Sequence, residues 1–288
     1  MGLTINNNMM AMTVARNLTT AFNQLSGSTN KLSSGMRINT AADDAAGLAV
    51  SELMRAEIAA LNQGVRNAAD AQSMIQTADG GLAIIDEKLI RMKELAEQAA
   101  TGTYSSVQRG IMNNEFVTMR SEITRIATAV RFNGVQLING NLSYTTVVTT
   151  ANSVNPLKIH FGPTNIAAED YYFISVGDAR AAALGLDGLS IASQTGAQGA
   201  LEAITTAIVS KDTIRANLGA YSNRLSNTIS QLTVQAENLQ AAESRVRDVD
   251  VAEEMTTFTT NQIKSQAAIA MLAQANMIPQ MALSLIGG

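Results

Sequence analysis

The sequence predicts a mainly α chain: a long antiparallel helical bundle or coiled coil built from the N- and C-terminal segments, with a small central β region. Three observations carry this. Apolar residues recur at alternating intervals of four and three through most of both halves, the period of one helix face. Turn dipeptides with β-branched and aromatic residues gather in the middle. The 288 residues include only three prolines and 4% aromatics within 46% hydrophobic content, which suits long helices packed through Leu, Ile, Met and Ala. The expected organisation is a terminal helix and linker over 1–40, half of a helical rod over 41–140, a short β-rich centre over 141–195, the second half of the rod over 196–248, and a terminal helix over 249–288.

The first helix is read from Val14, Leu18, Phe22, Leu25 and Leu32, with the three leucines seven apart. Ser33-Ser34-Gly35 ends it, and Asp43-Asp44 suits the start of the next. From there a long helix is expected to about Ala100, through Met54, Ile58, Leu61, Val65, Ala68 and Ile75, then Leu82, Ile85, Leu89, Met92, Ala96 and Ala99. The rhythm is expected to shift at Gly80-Gly81, where helix propensity is lowest. At 1.5 Å per residue this stretch predicts a rod on the order of 80 Å long. A third helix is expected over about 105–130, through Met112, Phe116, Met119, Ile123, Ile126 and Val130.

Asn133-Gly134 and Asn139-Gly140 are turn signals that open the centre. Short strands are expected at Tyr144–Thr150, Leu157–Phe161 and Tyr171–Val176. Helix resumes near Gly199 and runs through Leu218, Leu225, Leu232 and Leu239. The final helix carries Val251, Met255, Phe258, Ile269 and Leu272. Both end helices have a stripe and no evident partner nearby in sequence, and a helix of this length is marginal alone in water. Their stripes must bury against each other or against other copies of the chain.

Composition excludes several classes. A net charge of −4 offers no basic footprint for nucleic acid. Zero cysteines remove disulfides, thiolate metal sites and cysteine nucleophiles. The one histidine, His160, lies among strand residues and reads as an ordinary strand side chain. Asp43-Asp44 reads as capping rather than a metal pair, since no third ligand is near. Fourteen methionines read as core filler, since Met54, Met92, Met112 and Met119 lie on stripes. No enzyme, cofactor or metal is expected. Met1 to Asn6 has no basic region before an apolar one, so no cleaved secretory signal is expected, and no apolar run long enough for membrane insertion is seen.

Several longer motifs resemble bacterial flagellin. They are Leu32-Ser33-Ser34-Gly35-Met36-Arg37-Ile38-Asn39, Asp43-Asp44-Ala45-Ala46-Gly47-Leu48-Ala49, Gln76-Thr77-Ala78-Asp79-Gly80-Gly81-Leu82, Arg91-Met92-Lys93-Glu94-Leu95-Ala96 and Phe132-Asn133-Gly134-Val135. Leu272-Ala273-Gln274-Ala275-Asn276 with Pro279-Gln280 and Leu283-Ser284-Leu285 continue the likeness at the other end. It covers roughly 1–140 and 200–288, leaving the middle unmatched and short. The resemblance implies a structural subunit that self-polymerises into the flagellar filament for motility, secreted to the extracellular flagellum.

Within that family, the end helices pair only inside the filament core. That implies a self-assembly core of Val14, Leu18, Phe22, Leu25, Leu32, Met255, Phe258, Ile269 and Leu272. The implied partners are identical subunits, an export chaperone and cap and junction proteins. The family's contact for a vertebrate Toll-like receptor falls on Arg91, Leu95 and Glu115, although Lys93 stands where an Arg is common. A plant flagellin receptor would read 30–51. Two alternatives remain: a hook–filament junction protein, and a secreted coiled-coil translocator, which would want a long apolar segment.

Overall fold

A computed structural model of the protein describes residues 8–142, 156–166 and 169–286. Among these, the order is α1 (Met9–Ser34), α2 (Ala45–Ala100), α3 (Ser106–Ala129), β1 (Arg131–Phe132), β2 (Val135–Gln136), β3 (Leu157–His160), β4 (Tyr171–Ile174), α4 (Gln194–Arg247) and α5 (Val251–Ile286). The mainly α class holds, and the β-strands among the described residues form two small antiparallel pairs. The chain forms two compact units, Met1–Ile58 with Glu237–Gly288, and Ala59–Ala236.

The second unit is built on one continuous hydrophobic core. Buried positions on α2 run Leu61, Gly64, Ala68, Ala71, Ile75, Ala78, Leu82, Ile85, Leu89, Met92, Ala96 and Ala99, an unbroken alternation of three and four. This corrects the expected shift at Gly80-Gly81. Gly64, Ala71 and Ala78 hold alternate seam positions, and residues so small do not register in a pattern of large apolar side chains. Gly81 instead permits close approach: a Cβ there would lie 2.6 Å from Val130 Cγ2.

Phe116, Ile123 and Ile126 of α3 and Ala200, Ile204, Leu218 and Leu225 of α4 complete the core. Polar contacts fix the helix directions. Arg91 bonds Glu115 at 2.9 Å and Arg109 Nε donates to Ala99 O at 2.9 Å, so α3 runs antiparallel to α2. Asp86 pairs with Lys211 at 2.6 Å and Asp79 with Arg215 at 2.7 Å, which makes α4 antiparallel to α2 as well. Lys211 occupies a core position of α4, its side chain only 2% exposed, held by Asp86 and by Asp212 at 2.7 Å. A lysine there reads as surface from sequence alone.

Ser105 caps α3 through a reciprocal capping box with Gln108. Asn133 (φ 47°) and Gly134 (φ 81°) join β1 to β2, two left-handed residues in a row as a tight hairpin turn requires. The sequence pointed to the turn but not to its flanking strands. β3 and β4 pair antiparallel, His160 opposite Tyr171, and each is one to two residues shorter than expected. The hairpin sits on the helices through Asn67 Nδ2, which donates to His160 O at 2.9 Å, and Arg224, 3.4 Å above the Tyr172 ring. Gly64 makes this possible, since a Cβ there would fall 1.9 Å from the main-chain oxygen of Phe161. The expected strand Tyr144–Thr150 lies outside the described residues, and α4 begins five residues before Gly199.

In the first unit, α1 ends on Gly35 in the left-handed conformation (φ 71°), a position that favours glycine. Arg37 N then donates to Arg247 O at 2.7 Å and Val249 N to Gly35 O at 3.1 Å, tying together the connectors that lead to α2 and α5. Asp43 accepts from Thr40 N (2.9 Å) and Asn39 N (3.2 Å), while Asp44 accepts from Gly47 N at 2.9 Å and caps α2.

Candidate assembly surface

The candidate site is the pair α1 and α5. Asn8 meets Ala275 at one end and Lys31 approaches Glu254 to 4.0 Å toward the other, so the two helices run antiparallel. The covered positions on α1 are Val14, Leu18, Ala21, Leu25, Ser28 and Leu32, at four-three spacing. Those on α5 are Glu254, Phe258, Asn261, Ser265, Ala268, Leu272 and Ala275. Both are heptad seams of the coiled-coil kind.

The chemistry of this seam is the informative point. Its fully buried members are Ala21, Ser28, Asn261, Ser265 and Ala275, all small or polar. The larger residues Val14, Leu18, Leu25, Leu32, Phe258 and Leu272 are half-buried. Phe22 (47% exposed), Met255 (44%) and Ile269 (50%), expected on the same stripes, lie on the flank of the seam and are about half exposed, while Ile263 (66%) lies on the back of α5. With 100° between successive residues, the exposed Val251, Met255, Ile263, Ile269 and Met271 fall on the back and both flanks of α5. They alternate there with exposed polar residues such as Thr256, Thr260, Gln262, Lys264 and Gln274. The pair covers one strip of each helix and leaves these apolar side chains exposed.

At the connector end, Arg247 donates to Glu52 at 2.8 Å, and Arg37 donates to Val246 O at 2.6 Å. The Arg247 bond, with help from Arg55, holds the Glu52 carboxyl below the usual carboxylate range. The main-chain N–H groups of Thr40 and Asn39 lower Asp43 in the same way. At the far end, Pro279 lies inside α5 and has no N–H to give to Ala275 O, four residues back. Asn8 Nδ2 donates to that oxygen at 2.8 Å, while Asn8 Oδ1 caps α1 by accepting from Ala11 N at 3.0 Å. Asn8, Arg247 and the polar seam residues went unremarked in the sequence, where polar residues carry no periodic signal.

The second unit holds the other predicted set. Arg91 is exposed and bonds Glu115 (2.9 Å) and Glu94 (3.0 Å); Glu115 first, then Glu94, raises the guanidinium pKa. Leu95 is 2% exposed and lies in the core beside the seam residue Ala96. The accessible patch therefore consists of Arg91 and Glu115 without it.

The fourteen methionines also divide differently from expectation. Met74 and Met92 are buried, whereas Met9, Met10, Met12, Met255, Met271, Met277 and Met281 are exposed on α1 and α5. Among the described residues, no group of three or more His, Asp or Glu is placed to hold a metal, and no helix is long and apolar enough to cross a membrane. His160 packs its ring 6.1 Å from that of Tyr171.

Family models described as the bacterial flagellin N-terminal helical region and C-terminal helical region match residues 5–143 and 201–286. A flagellin of Halalkalibacterium halodurans is 42% identical over 98% of this chain and 99% of its own length. The flagellar filament 33 kDa core protein of Treponema phagedenis is 41% identical, again over 98% and 99%. These alignments run through the middle of the chain, so its short central region is shared with relatives of like length. A solved structure described as a flagellar hook-associated protein from Vibrio parahaemolyticus is 15% identical with a TM-score of 0.56, covering 72% of this chain and all of that one. That likeness speaks for the fold alone.

Proposed function

The chain belongs to the bacterial flagellin family, and we propose from that premise that α1 and α5 build the core of a flagellar filament, covered by the same helices of neighbouring copies. The protein is a structural subunit that polymerises with identical copies into the filament that drives motility. One observation supports the assignment of the core: beyond the seam they share, α1 and α5 leave Phe22 (47%), Ile263 (66%) and Ile269 (50%) exposed. Large apolar side chains left this open are stabilised by burial against a further surface. Ordering these helices costs about 1–2 kcal/mol per residue, which contact with several neighbours must offset. Head-to-tail contacts that do not close on themselves extend such a unit into a helical filament rather than a ring.

The finer reading follows. The subunit performs no catalysis, is secreted through a dedicated export channel with a chaperone's help, and joins cap and junction proteins in an extracellular flagellum. As free chain it offers Arg91 and Glu115 to the vertebrate Toll-like receptor, with Leu95 supporting them from beneath. Residues 30–51, which include the Asp43 and Asp44 turns, are what a plant receptor would read. Arg91→Asp is expected to cut the receptor response, and a peptide of 30–51 to elicit one in responsive plant tissue. An unchanged response, or none to the peptide, counts against the respective contact.

The test of the main reading is negative-stain microscopy of purified chain after salt-induced polymerisation. Long tubes of uniform width are expected. Permanent monomer or shapeless aggregate overturns it.

A further inference from the structure

The antiparallel run of α1 and α5 gathers six methionines at one end. Met9, Met10 and Met12 follow Asn8, whose side chain bonds Ala275 O at 2.8 Å, and Met271, Met277 and Met281 lie within two turns of Ala275. All six are exposed, between 49% and 61%. They make up six of the fourteen methionines in a chain with no cysteine, so no thiol competes with them for a soft oxidant. Methionine is unbranched and polarisable, and it fits surfaces that must pack against several neighbours.

We propose that this methionine end is an oxidation site that controls assembly: conversion of these thioethers to sulfoxides in the free chain blocks polymerisation, and burial in the filament protects them. The inference rests on the reading that neighbouring copies cover α1 and α5. The chemistry needs a two-electron oxidant of the peroxide class. A sulfur lone pair attacks one peroxide oxygen, the O–O bond breaks, and sulfur leaves as sulfoxide. The departing hydroxide takes the second proton and becomes water. Each event turns a flexible apolar side chain into a polar one at a contact that must be dry. Met74 and Met92, buried in the second unit, serve as internal controls in the same molecule.

The experiment treats dilute full-length chain with hydrogen peroxide, maps sulfoxides by peptide mass spectrometry, and measures the concentration needed for polymerisation. Sulfoxide is expected at the six terminal methionines before Met74 and Met92, and the threshold is expected to rise by about tenfold or more. Methionine sulfoxide reductases should restore it, and preformed filaments should oxidise more slowly at the same six positions. A variant carrying Met→Leu at all six should polymerise and keep its threshold after peroxide. Should that variant not polymerise untreated, reductase rescue of the native chain decides. Chain fully oxidised at the six positions that polymerises at the untreated threshold overturns this inference and leaves the assembly reading standing. Untreated chain that never polymerises overturns both.

Discussion

The side-chain amide of Asn8 donates to the main-chain oxygen of Ala275 at 2.8 Å, the carbonyl that Pro279 leaves without its helical donor. The pair links a helix interruption in α5 to the cap of α1. Asn8→Ala should destabilise the assembled state by about 1–2 kcal/mol through loss of the cap and the orphaned carbonyl. With Pro279→Ala also present, the main-chain N–H gained by that substitution can reclaim Ala275 O, and the cost of Asn8→Ala should shrink by about 1 kcal/mol. Thermal disassembly of filaments from the four variants measures this; equal losses in both backgrounds would refute the link.

Outward and seam positions of the terminal pair should separate cleanly. Phe22→Asp or Ile269→Asp places a charge on the exposed flank where a neighbour must pack, outside the α1–α5 seam. Both should abolish filaments while changing the circular dichroism and melting of free chain less than substitutions on the seam do. Leu25→Asp or Leu272→Asp, on the seam, should abolish filaments too and also weaken pairing of α1 with α5. Normal filaments from Ile269→Asp would remove the case for cover by neighbours.

Lys211 should show the asymmetry of a buried ion pair. Asp86→Ala removes its 2.6 Å partner and leaves the charge with Asp212 alone, for an expected loss of about 2–3 kcal/mol. Lys211→Met fills the same core position without a charge and should be neutral or stabilising by about 1 kcal/mol. Urea midpoints of free chain distinguish these signs.

Two glycines of α2 should respond in opposite directions to alanine. Nothing lies within 4 Å of a Cβ at Gly80, so Gly80→Ala should stabilise by about 1 kcal/mol from helix propensity. At Gly64 the new Cβ would lie 1.9 Å from Phe161 O, a main-chain atom that cannot swing aside. Gly64→Ala should therefore destabilise by a few kcal/mol and unseat the β3–β4 hairpin. Calorimetry of both variants checks the pair of signs.

The connectors should loosen in acid. Glu52 and Asp43 have folded pKa values below their ordinary ones, so the unfolded chain binds more protons as pH falls through that window. Their contribution is complete above the ordinary carboxylate range and disappears as pH drops through the depressed values. Protection of the Arg37 and Val249 amides, measured against the intrinsic exchange rate at each pH, should fall as pH drops below the ordinary carboxylate range, because these N–H groups bridge the connectors. Glu52→Gln should flatten that dependence, and an unchanged profile would assign it elsewhere.

Sequence alone determined the long helices and the Asn133-Gly134 turn, because a repeat of large apolar residues and a left-handed turn are local properties that few residue types satisfy. The motifs around Asp43, Arg91 and Leu272 carried the family. Tertiary structure alone decided which face each helix gives to its own chain. Gly64, Ala71 and Ala78 keep the α2 seam in phase, yet they are too small to be seen in an apolar pattern. Lys211 is a core residue because Asp86 and Asp212 meet it there, and Leu95, beside the seam residue Ala96, is part of the same buried core. In the terminal pair, Ser28, Asn261 and Ser265 sit inside while Phe22 and Ile269 sit outside. Hydrophobicity states how strongly a side chain avoids water; only the placement of neighbouring elements states which body excludes the water from it.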